Sequence, residues 1–356
     1  MINKNSKIFI AGHNGMVGNA ILKKFKKLGY KKVITIDKKK LNLINQERVF
    51  KYLKNNKPDL VIIAAAKVGG ILANDLYKSK FIYENLQIQN NLIHGSYLAK
   101  IKNLIFLGSS CIYPKHSRQP IKEKYILTGP LEETNDAYAI AKIAGVLMCY
   151  NYSKNYKLNY KCLMPSNMYG PKDNYDLKNS HFFAALIRKI YEAKIKNKKR
   201  FIVWGTGKPF RELLFVNDFA DAVIFFLNKK IKYPFINIGS GKDYTIKWYA
   251  NFIAKELGAS NLKIIFDKTK PDGMPRKLLD INIGSGKDFT IKWYANFIAK
   301  ELGASNLKII FDKRKPDGMP RKLLDVNVAK KLGWRAKTSL KQGLKMTLDD
   351  YITKIN

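Results

Sequence analysis

The chain has 356 residues, a formal net charge of +39 and an apolar share of 46%. That composition excludes a disordered chain and supplies enough apolar side chain for one or two packed domains. The cations are spread through nearly every segment, so the charge reads as solvated lysine surface whose field attracts an anionic substrate or cofactor, and not as a nucleic-acid footprint. No apolar run reaches the roughly 20 residues needed to cross a bilayer. Met1 to Lys7 leads into a strand pattern without the apolar core of a signal peptide. Three cysteines, Cys111, Cys149 and Cys162, are too few and too irregularly spaced for a disulfide framework or a zinc site. These features predict a cytoplasmic protein with no metal, no membrane contact and no nucleic-acid partner.

Lys7 to Ala11 predicts a short strand, followed by Gly12-His13-Asn14-Gly15-Met16-Val17-Gly18 and a helical pattern through Phe25. Strand, glycine turn and helix in that order form a dinucleotide site: the glycines let the backbone approach a pyrophosphate, which the helix N-terminus stabilises. A second strand, Val33 to Ile36, ends at Asp37, which suits a ribose 2′-hydroxyl. Lys38, Lys39 and Lys40 follow at once and suit a 2′-phosphate, so NAD and NADP both stay open. Asp59 to Ala66 is apolar almost throughout, as in a strand buried on both faces, and runs into the loop Lys67 to Ile71. Residues 74–100 predict one long helix, 103–107 a strand delivering Ser109, Ser110 and Cys111, and 136–155 a helix carrying Tyr138 and Lys142. Lys161 to Met164 predicts the last core strand. Strands alternating with helices make the fold class α/β, a Rossmann-type doubly wound parallel sheet.

Tyr138 and Lys142 lie four residues apart, which stacks them on one helix face with the ammonium beneath the phenol. A fixed cation there stabilises the phenolate and is expected to bring the proton exchange of Tyr138 nearer neutral pH. A hydroxyl from Ser109 or Ser110 would hold a carbonyl oxygen beside it, and the three groups together polarise a ketone. The bland alternatives are an exposed helix face for the Tyr-Lys pair and a small core residue for Cys111.

Beyond the unit 1–165 the chain changes character. Pro165 to Pro171 is turn-rich, Asn179-Ser180-His181 precedes an amphipathic helix over 182–195, and strand-like pieces near 201–205 and 211–216 surround a loop with Lys208 and Arg211. Residues 166–356 read as a smaller α/β substrate-binding domain, interleaved with the first near the boundary and contributing cations and an aromatic to a cleft. Within it, 236–280 and 281–325 are tandem copies of 45 residues each, differing only as Tyr244 against Phe289 and Thr269 against Arg314. Removing one 45-residue copy from 356 leaves 311, close to one complete domain pair. Two copies do not make a solenoid, and the fold has one slot. Either copy, or a hybrid of both, could fill it.

The segments 12–18, 65–71, Leu107-Gly108-Ser109-Ser110-Cys111-Ile112-Tyr113-Pro114-Lys115 and 138–145 resemble the GDP-L-fucose synthases, a branch of the extended short-chain dehydrogenases. So do Asn179-Ser180-His181, Val203 to Gly207 and the Lys-Pro-Asp-Gly run from Lys270. The resemblance spans nearly the whole chain. It implies NADPH-dependent conversion of GDP-4-keto-6-deoxy-mannose to GDP-L-fucose, by epimerisation at C3 and C5 and reduction at C4. It implies that Ser109 and Tyr138 hold the C4 oxygen, that Tyr138 protonates it, and that Lys142 supports Tyr138 and the nicotinamide ribose. Cys111 would be the base that removes protons beside the ketone and His181 the acid on the opposite face. Their ordinary pKa values, about 8.5 and 6.5, suit that chemistry. His13, His94 and His116 receive no catalytic role.

For NADP the resemblance implies contacts from Gly12, His13, Asn14, Gly15, Met16, Val17, Gly18, Asp37 and Lys38. It adds Leu107, Gly108, Ser109, Ser110, Lys142, Pro165, Ser166, Asn167, Met168 and His181. For the GDP-sugar it implies Lys189 (with Arg188 beside it), Trp204, Arg211 and an aspartate that is Asp272 or Asp317. Two positions depart from the family pattern: Lys189 stands where arginine is expected, which removes a bidentate phosphate contact, and Asn14 replaces an arginine near the adenosine phosphate. A homodimer through helices 74–100 and 138–155 is implied as well. Two other readings remain: a related nucleotide-sugar 4-epimerase or 4,6-dehydratase, against which Cys111 argues because neither needs a base there, and a nonenzymatic nucleotide- or RNA-binding protein whose cleft the duplication has spoiled.

Overall fold

The computed structural model describes residues 1–177, 179–229, 231, 235–268, 333–334 and 336–353, and the backbone of 276–277. Its centre is a parallel six-stranded sheet of order β2-β1-β3-β4-β5-β9: β1 (Lys7–Ala11), β2 (Lys32–Ile34), β3 (Leu60–Ile63), β4 (Asn103–Leu107), β5 (Asn159–Pro165) and β9 (Phe235–Ile238). β3 is fully buried, as are all but the first residues of β1 and β4, because helices cover both faces. On one side α1 (Met16–Lys27) packs against α7 (Val216–Phe226), and on the other α2 (Gln46–Asn56), α4 (Lys78–Leu98) and α5 (Asp136–Tyr156) pack in turn. Asn45 caps α2 by accepting from the Arg48 amide, and Lys57 ends it in left-handed geometry at φ 42°.

Three expected boundaries shift. The helix expected over 74–100 is two, α3 (Ile71–Leu76) and α4, because Tyr77 leaves helical geometry at φ −122° and Lys78 restarts the helix, reaching the Glu133 carbonyl and Asp136. β3 ends at Ile63, since 64–66 turn out of the ladder to line the cleft. β5 is not the outermost core strand: β9 pairs beyond it, Cys162 opposite Phe235 through Pro165 opposite Ile238.

A second apolar cluster holds Phe183, Ile187, Phe215, Tyr249, Ile253 and Leu344. Around it lie α6 (Phe182–Ile195) and α8 (Ile246–Glu256), the pair β7 (Arg200–Trp204) with β11 (Lys263–Asp267), and a sheet of order β10-β8-β12. In that sheet β8 (Phe210–Phe215) is flanked by β10 (Asp243–Thr245) and β12 (Arg276–Lys277), with β6 (Asn167–Tyr169) also pairing with it. Thr245 caps α8 through the Trp248 amide at 3.0 Å. Nearly all of β9, and the whole of β10, α8, β11 and β12, come from the first tandem copy; the second, 281–325, lies outside the described residues.

Phe235, the residue just before the first copy, gives a physical reason for this seating. It opens β9 at 3% exposure beside the ring of Tyr113, whereas the residue before the second copy is Asp280, whose carboxylate would be buried there. After the repeats, Trp334 packs into the main core, and Thr338 donates from its amide (3.1 Å) and hydroxyl (2.8 Å) to Asp218 at the start of α7. That clasp leads into the last helix, α9 (Leu340–Thr353).

Candidate active site

The carboxyl ends of β1, β3, β4 and β5 open into a cleft of about 690 Å³, closed from the other side by α6 and the β7–β8 region. At the end of β1 the chain turns through Gly12 at φ +90°, where a Cβ would meet the Ala65 amide nitrogen at 2.5 Å. A Cβ on Gly18 would run into the Gly12 carbonyl. A side chain at either point would force these backbone segments apart and undo the tight turn through which backbone amides can approach a dinucleotide's phosphates. Gly15 precedes α1 without a side-chain cap, so the first amides of the helix remain available to an anion. These residues therefore fit the dinucleotide that the sequence implies. Asp37 itself does not line the cleft; its carboxylate accepts from Asn14 Nδ2 at 2.7 Å and lies 3.5 Å from His13 Nε2, while Lys38 does line it.

At the end of β4, Ser109 Oγ accepts from the Cys111 amide at 3.3 Å and bonds the Tyr138 hydroxyl. Lys142 is 3% exposed, with Nζ 2.8 Å from the Leu107 carbonyl and 5.8 Å from the centre of the Tyr138 ring. Burial lowers the Lys142 pKa to about 8, against upward pulls from Cys162, Cys111 and Cys149. Burial, and then the charge of Cys111, push the Tyr138 phenol above its ordinary value; only the Ser109 bond pulls it down. The expectation of a phenol shifted toward neutrality is thus corrected. Lys142 spends its hydrogen bond on the β4 carbonyl, and desolvation outweighs its field at the phenol. Tyr138 is held as a protonated acid.

The facing wall carries His181, the residue before α6. Its segment is tied to the sheet side where the Gly70 amide donates to the Asn179 carbonyl at 2.9 Å. A Cβ on Gly70 would collide with the Ser180 carbonyl, so only glycine lets the two walls approach this closely. Lys189 Nζ donates to the Ile202 carbonyl at 3.1 Å and sits 5.2 Å from the Trp204 ring centre. Arg188 turns away to Glu192 and the Tyr175 carbonyl. Arg211 is 7% exposed in β8, between Tyr244 of β10 and Lys277 of β12, and its carbonyl accepts from the Tyr249 hydroxyl at 2.9 Å.

One cleft thus brings together the residues expected to act on cofactor and sugar, from Gly12 to Gly18, through Lys38, Leu107 to Cys111, Tyr138, Lys142 and Pro165 to Met168, to His181, Lys189, Trp204 and Arg211. Asp272 and Asp317 lie outside the described residues. Sequence reasoning missed Asn135, which lines the cleft and points Nδ2 at the Cys111 sulfur, 3.7 Å away. Its place at the head of the helix that carries Tyr138, three residues before it, was the available signal. Among the described residues no group of three or more His, Cys, Asp or Glu could hold a metal.

The NAD dependent epimerase/dehydratase family model matches residues 8–239. The chain belongs to that family. Its relatives include the GDP-L-fucose synthase of Sinorhizobium fredii, 50% identical over 77% of this chain and 86% of that protein. The GDP-L-fucose synthase of Escherichia coli K12 is 44% identical over 77% of this chain and 88% of its own. Among solved structures, the GDP-mannoheptose C4 reductase from Campylobacter jejuni with NADP bound superposes with a TM-score of 0.78 at 32% identity, covering 99% of this chain and 100% of that one. The family's parallel sheet and its cleft at the strand ends are those described above.

Proposed function

We propose that the chain is a GDP-L-fucose synthase, an NADPH-dependent enzyme that epimerises GDP-4-keto-6-deoxy-D-mannose at C3 and C5 and reduces it at C4. The observation that carries the reading is the convergence of Ser109, Cys111 and Tyr138 at one end of the cleft, with His181 on the facing wall. A ketone oxygen seated between Ser109 and Tyr138 acidifies the hydrogens on the two neighbouring carbons. Cys111 takes such a proton as its thiolate, the enolate charge is held by the Ser109 and Tyr138 hydroxyls, and His181 returns a proton to the opposite face of that carbon. After the first inversion Cys111 gives its proton to water and His181 takes one up, and the reset pair then inverts the second centre, so both C5 and C3 are changed. NADPH, held at the glycine turn Gly12 to Gly18, would supply the hydride that reduces C4. Tyr138 then donates its proton to the oxygen at C4, and its raised pKa is no obstacle because the alkoxide formed there is a stronger base than the phenolate left behind. Lys142 supports Tyr138 from the β4 side.

Asn14 and His13 both engage Asp37, which weakens its repulsion of a 2′-phosphate and leaves Lys38 to meet one, so we assign NADP as the cofactor. Lys189 and Arg211 are assigned to the diphosphate and Trp204 to the guanine side. No helix among the described residues is long and apolar enough to cross a membrane. The three free cysteines fit a reducing cytoplasm. Tyr83 on α4 and Ile140, Leu147 and Tyr150 on α5 are exposed apolar side chains on neighbouring helices, which supports a homodimer through that face. A monomer by sedimentation at micromolar concentration would rule the dimer out.

The direct test is NADPH oxidation, followed at 340 nm, with GDP-4-keto-6-deoxy-mannose. The full chain and one lacking 281–325 are expected to turn over equally, with C111A retaining C4 reduction but losing solvent-deuterium incorporation at C3 and C5 by about 100-fold or more. No turnover in either chain would sink the assignment.

A further inference from the structure

Asn135 occupies the N-cap position of α5, the helix that carries Tyr138 and Lys142. Asparagine is favoured there because its side-chain oxygen accepts from an amide in the first helical turn. Here it makes no such bond. The side chain instead turns so that Nδ2 donates to the Cys111 sulfur at 3.7 Å, while Oδ1 is buried with no hydrogen-bond partner. Both the cap and the carboxamide oxygen have been given up for one contact with the sulfur. A buried polar atom left unpaired calls for an explanation, and a contact kept for function is one.

We propose that Asn135 is a positioning residue for Cys111, its amide holding the sulfur as a thiolate aimed at the carbon beside the ketone. The inference rests on the reading of Cys111 as the epimerisation base. A thiolate in this pocket needs a donor, because an anion taken out of water is stabilised chiefly by hydrogen bonds to it. The Cys111 amide is already committed to Ser109. The titratable groups acting on Cys111 include Tyr138 and Lys142, both on α5; Tyr138 is held neutral, and Lys142 directs its proton at the Leu107 carbonyl. The carboxamide is a neutral donor that cannot compete with the thiol for protons, so it favours the charged form at any working pH.

The test exploits the cysteine inventory: Cys149 and Cys162 are fully buried, whereas Cys111 is partly exposed, so iodoacetamide reads Cys111. Alkylation rate against pH is measured on the wild-type full chain, N135A and N135D. Asn135→Asp keeps the shape and the capping preference but replaces the donor with an anion. The alkylation midpoint is expected to rise by about one pH unit in N135A and further in N135D. Solvent-deuterium incorporation into the keto sugar is expected to slow about tenfold or more in both, with KM little changed. Unmoved midpoints, with or without a fall in melting temperature, would reduce Asn135 to a structural role, and a downward shift would mean that the carboxamide oxygen accepts from the thiol. Either result overturns the proposal. Because alkylation needs no substrate, it judges Asn135 even if the wild-type chain does not epimerise the sugar, an outcome that would count against the function instead.

Discussion

The two walls of the cleft are built by different means. On the sheet side, Ser109, Cys111, Tyr138 and Lys142 are placed by the end of β4 and one face of α5, with offsets of a few residues. On the far side, Arg211 is placed by segments that come later in the chain: Tyr244 pairs with it across β10, Tyr249 bonds its carbonyl, and Lys277 of β12 lies on its other edge. All three belong to the first tandem copy. The chemistry therefore depends on local helix and strand rules, and substrate recognition depends on tertiary docking of a segment that the chain contains twice. The duplication bears on the second wall and leaves the first largely indifferent.

That contrast can be broken at Ile253, fully buried on α8 in the second apolar cluster. Ile253→Asp places an unpaired carboxylate in the second apolar cluster and is expected to cost roughly 4 kcal/mol, lowering the melting temperature by roughly 5 °C. Ile298→Asp, the same change in the second copy, is expected to leave melting and turnover unchanged. If both single variants behave like wild type and only the double variant fails, the two copies exchange in the slot and the seating seen here is one of two. A loss caused by Ile298→Asp alone would mean that the second copy fills it.

Much of this was legible in the residues. The glycine turn reads correctly because a tight approach of backbone to backbone leaves only glycine possible at 12 and 18, and the Tyr138–Lys142 offset because helical spacing is rigid. Legibility failed where tertiary context overrides local pattern. The order of the sheet was cut short at β5, since β9 arrives only after some 70 residues of other structure. The break at Tyr77 has no proline or glycine to announce it. The choice between copies looked undecidable when the repeats were compared with each other, yet the flanking residue, Phe235 against Asp280, distinguishes them. The pKa of Tyr138 went the other way from expectation because a residue pattern reveals the neighbouring cation but not the depth at which both groups are buried.

The last prediction sharpens the sheet-side half of the comparison, at Lys142. Its folded-state pKa of about 8 lies below the ordinary 10.5, so the folded protein disfavours the charged form. Stability from the neutral form is fully present above pH 10.5 and is lost as the pH falls through about 8. At pH 7 the wild-type chain therefore bears a desolvation penalty of roughly 3 kcal/mol. Lys142→Met removes that penalty but leaves the Leu107 carbonyl without its donor, at about 1–3 kcal/mol. The two nearly cancel, and the variant is expected to melt within a few degrees of wild type at pH 7 and to fall behind as the pH rises above 8. Turnover should drop about 100-fold or more at every pH, while in the wild-type chain it declines on the alkaline side as Lys142 loses its charge. Melting curves at pH 7 and pH 10 decide the matter: an equal loss of stability at both would mean that Lys142 is a structural post for β4, and its charge would then have no part in the chemistry.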